Sequence, residues 1–248
     1  MKGPVVAGCM ALVFAATAGR ADDVVVLSTT GLQAVIKTLG PKFEQATANK
    51  LVVSIDTANN LRHKIDGGTA FDVAVLTPTL IDALVQSGKI VRGSAANIAR
   101  AGVGIAYRAG GARPDVSSLA ALKQTLLAAK SITYATTGQS GAYFAKLIEK
   151  LGIVVQVAAK SKALPGGLAV GELVAHGEAE LAIQSVPDLE AIPGLEVIPF
   201  PAELQSYIVL TGGLATDAKS PAAAAAFIRY LTDPAAVPVL KAKGLEPG

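Results

Sequence analysis

Apolar positions along the chain fall into short continuous runs and helical stripes, separated by polar loops. Beyond the N-terminal stretch the first run is Val24-Val25-Val26-Leu27. Strand-forming runs of this kind suit strands covered on both faces, as in parallel sheets flanked by helices. Ser28-Thr29-Thr30-Gly31 follows, after which Leu32, Val35, Ile36, Leu39 and Phe43 recur on one helical face. The order then returns: a strand over 51–55, a polar loop over 56–60, and a short helix over 61–66 closed by Gly67-Gly68. Strands are predicted over 71–76, 103–107, 131–136, 181–184, 194–198 and 207–211. Helices are predicted over 79–87, 119–130, 142–151, 168–176, 221–231 and 234–243. Strands alternating with helices predict an α/β fold built on parallel sheets.

Two extended stretches can carry the chain between lobes, 100–108 and 203–213, the second after Pro193, Pro199 and Pro201. If both are crossovers, lobe one is 22–101 plus 208–248 and lobe two is 102–207. A discontinuous lobe tied by two linking strands makes a hinge, and ligands favour the cleft of such pairs.

The N-terminus changes the picture of composition and charge. Lys2 precedes an almost wholly small or apolar stretch over 3–18, and Ala18-Gly19-Arg20-Ala21 places small residues before Asp22. This is the layout of a secretory signal peptide over 1–21, and it implies a periplasmic protein. Removing it takes Lys2, Arg20 and the lone cysteine, Cys9, so the net charge falls from +3 to +1. The mature chain then has no thiol for disulfides or metal ligation. No basic cluster with interleaved aromatics points to nucleic acid. Two histidines, His63 and His176, make no metal-ligand pattern, and no Gly-x-Gly-x-x-Gly or phosphate-binding loop is present. No cofactor or metal is implied.

Candidate chemistry lies in three polar segments placed between a strand and the next helix: 28–31, 57–60 and 136–141. There the first helical N–H groups are unpaired and the helix dipole adds partial positive charge. Hydroxyl and amide side chains supply further donors, which suits an oxyanion or carboxylate. Plain N-capping is the competing account, because Ser, Thr and Asn are preferred caps. The candidates are Thr29, Thr30, Asn59 and Asn60 from lobe one, with Thr137, Ser140 and Gln184 from lobe two. Arg62, just after Asn59-Asn60, can pair with a ligand carboxylate or lie on a solvated helix face.

The chain resembles the periplasmic molybdate-binding proteins and their relatives among the solute-binding proteins of ABC transporters. The resemblance is carried by the opening strand, hydroxyl loop and helix, by Asn60-Leu61-Arg62-His63-Lys64-Ile65-Asp66-Gly67-Gly68, and by Phe71-Asp72-Val73-Ala74-Val75-Leu76. The ending adds Ala225-Ala226-Phe227-Ile228, Leu231-Thr232-Asp233-Pro234 and Lys243-Gly244-Leu245. It implies the two-lobed type II periplasmic-binding-protein fold, each lobe a mainly parallel sheet flanked by helices, with two hinge crossovers. It also implies a small anionic ligand, an ABC transporter permease as partner, and a monomer.

The family's ligand donors are exchanged here. Gly31 stands where molybdate binders carry a serine, Ala58-Asn59-Asn60 replaces a serine-rich loop, and Gln139-Ser140-Gly141 replaces a loop with Pro. Ser185, after Gln184, takes the place of a tyrosine, while an Asp is retained as Asp188. Two functions follow. One is capture of a small anion without chemistry, for delivery to a transporter. The other is isomerisation of a small polycarboxylate such as aconitate, as in some proteins resembling this family. No residue is assigned a catalytic role from the sequence.

Overall fold

The computed structural model describes residues 22–136, 138–165 and 167–248. The signal peptide expected over 1–21 and the site candidate Thr137 lie outside the described residues.

The fold opens with β1 (Asp23–Thr29), a 3-10 turn (Thr30–Leu32) and α1 (Gln33–Thr47). Then come β2 (Lys50–Asp56), α2 (Ala58–Asp66), β3 (Val73–Leu76) and α3 (Pro78–Gln86). The long β4 (Ala96–Arg108) follows, then α4 (Leu119–Ala128), β5 (Ile132–Ala135), α5 (Gly138–Lys150), α6 (Val154–Ala158) and β6 (Ser161–Leu164). Next are α7 (Ala169–Ala175), β7 (Leu181–Ser185), α8 (Val186–Glu190) and β8 (Leu195–Pro199). The chain closes with β9 (Tyr207–Leu214), α9 (Pro221–Thr232), α10 (Val237–Lys241) and β10 (Leu245–Pro247).

Strand order is β2-β1-β3-β9-β4-β7-β5-β6, with β8 and β10 also paired to β4. The parallel pairs are β1 with β2 and β3, and β5 with β6 and β7. Every antiparallel pair involves β4 or β9. These two strands need no helical crossover to reach their neighbours, because they are themselves the connections. Residues 96–102 of β4 pair with β9, and 103–108 pair with β7 and β8. One strand therefore serves two sheets.

Alternating side chains sort into separate cores on the two faces of each sheet. In β3, Val73 and Val75 join a core with Phe43, Phe227 and Leu231, whereas Ala74 and Leu76 join Leu61, Ile81 and Leu84. Two further cores, one around Phe144 and Leu147 and one around Val170 and Val174, draw only on residues between 103 and 204. This is the two-lobed α/β fold, each sheet covered by helices on both faces. Gln205 ties the connections together: its Oε1 accepts from Val103 N at 2.6 Å and its Nε2 donates to Phe200 O at 3.0 Å.

The structure departs from the sequence reading at short elements. The helix expected over 61–66 begins at Ala58, because Thr57 caps it by accepting Asn60 N–H at 3.3 Å. α5 likewise starts at Gly138 rather than 142. Four elements escaped notice: α6, β6, α8 and β10. Each has five residues or fewer, too short to display a period.

Candidate functional site

The parallel registers bring strand ends together. Thr29 lies opposite Asp56, and Ser28 is paired with both Ile55 and Val75. On the other lobe Ala135 pairs with Leu164 and Tyr134 with Ile183, so β5, β6 and β7 end side by side. Helices follow β1, β2, β3, β5 and β7 within two residues, so their unpaired first N–H groups gather at the strand ends. Polar side chains are buried there: Ser28, Thr29 and Thr77 in lobe one, Ser140, Gln184, Ser185 and Asp188 in lobe two.

Thr29 stands at the N-cap position of the 3-10 turn leading into α1, yet its hydroxyl caps nothing. Its Oγ1 is buried with no hydrogen-bond partner. Thr57, by contrast, is a working cap, so the capping account holds for one segment and not for the other. Gln184, 3% exposed, donates from Nε2 to Gly167 O at 3.1 Å and to Asp188 Oδ2 at 3.2 Å. Its Oε1 is buried and unpartnered. A third such atom, Thr133 Oγ1, lies within β5.

Asp188 joins the lobes. Ser185 Oγ donates to its Oδ2 at 2.6 Å, and Thr30 of lobe one lies beside it on the wall of the same cavity. Burial drives this carboxyl above its ordinary value, against the pull of the bonds from Ser185, Thr30 and Gln184. A cavity of about 710 Å³ runs alongside this junction. Thr30, Gly31 and Lys37 line it from lobe one, with Lys243 after α10; Asp188 and Glu190 of α8 line it from lobe two. Burial also raises the Glu190 carboxyl, and Lys243 opposes the shift.

The sequence candidates therefore separate. Thr30 and Gln184 both lie beside Asp188, and Thr29 precedes Thr30 at the end of β1. Ser140 is buried in the first turn of α5, and Gly141 beside it fits closely: a Cβ there would meet Ala135 O at 2.0 Å. Asn59 and Asn60 are exposed in the first turn of α2, where Asn60 Nδ2 donates to Asp56 Oδ1 at 2.8 Å. Arg62 gives its Nε to Asp66 Oδ2 at 2.7 Å along the same helix. None of Asn59, Asn60 and Arg62 lines the 710 Å³ cavity. Sequence reasoning did not assign Lys37 or Lys243 to any site. Lys37 lies one helical turn beyond Gln33 on the cavity-facing stripe, a spacing readable from the sequence, whereas Lys243 arrives from far along the chain. Among the described residues no cluster of His, Cys, Asp or Glu could hold a metal, and no helix is long and apolar enough to cross a membrane.

The sequence model of the family described as bacterial extracellular solute-binding protein matches residues 24–246. The chain belongs to this family. Among curated relatives of this solute-binding protein, the aconitate isomerase of Pseudomonas sp. is 29% identical over 229 residues, covering 90% of this chain and 87% of the relative. The molybdate-binding protein ModA of Azotobacter vinelandii is 28% identical over 235 residues, covering 92% of both chains. Among solved structures, the periplasmic molybdate-binding protein of A. vinelandii superposes with a TM-score of 0.77 at 18% identity, over 91% of this chain and 99% of that one. The sulfate-binding protein SubI of Mycobacterium tuberculosis superposes with a TM-score of 0.71 at 15% identity, over 91% and 87%. These superpositions establish the fold, that of two-lobed periplasmic binding proteins.

Proposed function

We propose that this solute-binding protein captures a small anion, an oxyanion or an organic carboxylate, between its lobes and delivers it to an ABC transporter permease. The observation that carries the reading is the cavity between the lobes, lined by Thr30, Lys37 and Lys243 on one side and by Asp188 on the other, beside strand ends where Thr29 and Gln184 each bury an unpartnered oxygen. Buried polar atoms are almost always paired, so an orphan at a strand end of each lobe, Thr29 Oγ1 and Gln184 Oε1, marks a place for a ligand. The positive end of the helix begun at Thr30, together with Lys37 and Lys243, favours negative charge there. Asn59, Asn60, Thr137 and Ser140 would add donors at the strand ends. Arg62, oriented by Asp66, would offer its terminal nitrogens to a carboxylate. Hinge bending would occur where the chain crosses, near Gly102 and again near Tyr207, with lobe one formed by 22–101 and 208–248. In this reading the protein is exported by residues 1–21, and works in the periplasm as a monomer.

Thermal unfolding of residues 22–248 against molybdate, tungstate, sulfate, phosphate, citrate, the aconitates and simple dicarboxylates tests the reading. A ligand at about 100 times its dissociation constant stabilises by about 2.7 kcal/mol. That corresponds to a rise of about 5 to 10 °C for a chain of this size. No rise with any anion would sink it.

A second reading is favoured by the relative named aconitate isomerase and by the protonatable Asp188 on the cavity wall. Moving a double bond along a polycarboxylate requires a group that takes a proton from one carbon and returns it to another. A carboxyl raised by burial holds a proton more readily than an ordinary aspartate, which suits that work. Conversion of trans-aconitate to its cis isomer by the purified protein, abolished in Asp188→Asn, would establish it. Binding of trans-aconitate without turnover would leave capture alone.

A further inference from the structure

The junction between the lobes is unbalanced in its hydrogen bonding on the lobe-two side. Gln184 Nε2 faces two acceptors, Gly167 O and Asp188 Oδ2, which fixes the orientation of the amide. Its Oε1, an acceptor, is left buried without a donor. Asp188 beside it accepts from Ser185 and Gln184, both neutral groups. The charged groups on the adjoining cavity wall are Lys37 of α1, Lys243 after α10 and Glu190 of α8. Cations thus lie on the lobe-one side and acceptors on the lobe-two side.

We propose that Gln184 and Asp188 are specificity-determining residues, which select an anion carrying its own hydrogen-bond donor (a hydroxy acid or a partly protonated oxyanion) over an anion of similar size that lacks one. This deepens the capture reading and rests on it. A hydroxyl or acidic proton on a ligand in the cavity can donate to Asp188, which lines it, and to Gln184 Oε1 where the ligand reaches past Asp188, whereas a bare anionic oxygen there meets acceptors only. Burial raises the Asp188 carboxyl, and the neutral donors beside it only partly offset that. A ligand without a donor binds best with Asp188 protonated, since that proton is then the donor between them, so its affinity falls as pH rises. A donor-bearing ligand has less need of that proton, and its affinity is flatter with pH.

The test uses matched pairs at pH 7: malate against succinate, citrate against tricarballylate, and phosphate against sulfate. Isothermal calorimetry on residues 22–248 reads affinity for each. In every pair that binds, the donor-bearing member is expected to bind about tenfold tighter, a difference of about 1.4 kcal/mol. Gln184→Met removes the acceptor while keeping length and apolar bulk, and narrows the preference to about twofold. Asp188→Asn places a neutral donor on the same wall, so the members without a donor gain affinity and lose their pH dependence. This gain decides the matter even where Gln184→Met fails to fold. Equal affinities within every pair, or a preference unchanged in both variants, would overturn the selection and leave capture standing. Failure of all six anions to bind would overturn capture in this class, and the selection with it.

Discussion

Replacing Asp72 by Asn is expected to cost the protein much of its stability, because one buried carboxylate stitches together parts of lobe one that lie far apart in the chain. Asp72 is 1% exposed at the entry to β3. Its Oδ2 accepts from Val25 N at 2.7 Å, and its Oδ1 from Lys219 N at 2.6 Å and Ser220 N at 3.2 Å. The contacts span 47 and 147 positions, so the carboxylate fastens both β1 and the segment that begins α9. Asn can keep its oxygen on only one side. With the oxygen toward Lys219 and Ser220, the amide NH2 opposes Val25 N–H and leaves a buried donor unmet. Hydrogen bonds to charged groups are worth about 1.5–3 kcal/mol, and an unmet buried donor costs about 1–3 kcal/mol. Relief of the carboxylate's own desolvation offsets part of this, leaving a loss of about 3 kcal/mol. The thermal midpoint of residues 22–248 should then fall by about 6–12 °C. Circular dichroism on heating, with urea denaturation in parallel, measures it. A change below about 1 kcal/mol would refute the claim that this carboxylate holds the discontinuous lobe together.

Gly141→Ala puts a Cβ 2.0 Å from Ala135 O, and the forced shift of α5 is expected to cost about 2 kcal/mol in urea denaturation. A neutral result would mean that α5 seats differently on β5. Arg62→Gln is expected to weaken anion binding about tenfold by calorimetry, since it removes a guanidinium offered to the ligand. Its stability should change by less than about 0.5 kcal/mol, because the bond to Asp66 is a partly exposed pair within one helix. Unchanged affinity would confine Arg62 to that helix. Burial raises the Asp188 carboxyl, so its contribution to folding is fully present below the unfolded value of about 4 and is lost as pH rises through the folded one. Asp188→Asn is therefore expected to gain thermal stability relative to wild type between pH 4 and pH 7. A constant gap across that range would show that the carboxyl is not desolvated.

The sequence by itself determined the class of fold and the places where ligand groups could gather. Val24 to Leu27 and Phe71 to Leu76 are readable because burial on both faces demands continuous apolar runs. Thr29 and Thr30 are readable because a polar segment between a strand and a helix stands where backbone donors are unpaired. Asp72 could be seen only as part of a familiar string; its bonds to Lys219 and Ser220 depend on folding that brings distant segments together. The same holds for the junction at Asp188. Sequence could note an aspartate near Gln184, but burial, contact with Thr30 and the shift of its carboxyl arise from two lobes meeting. Arg62 shows the converse: its type and spacing suit an anion, and they suit equally the pair with Asp66. Periodicity reports which face of an element is buried, since that depends on neighbours within a few residues. Which polar atoms are left without partners is decided across the whole fold, and here it was the tertiary structure that singled out Thr29 and Gln184 from their neighbours.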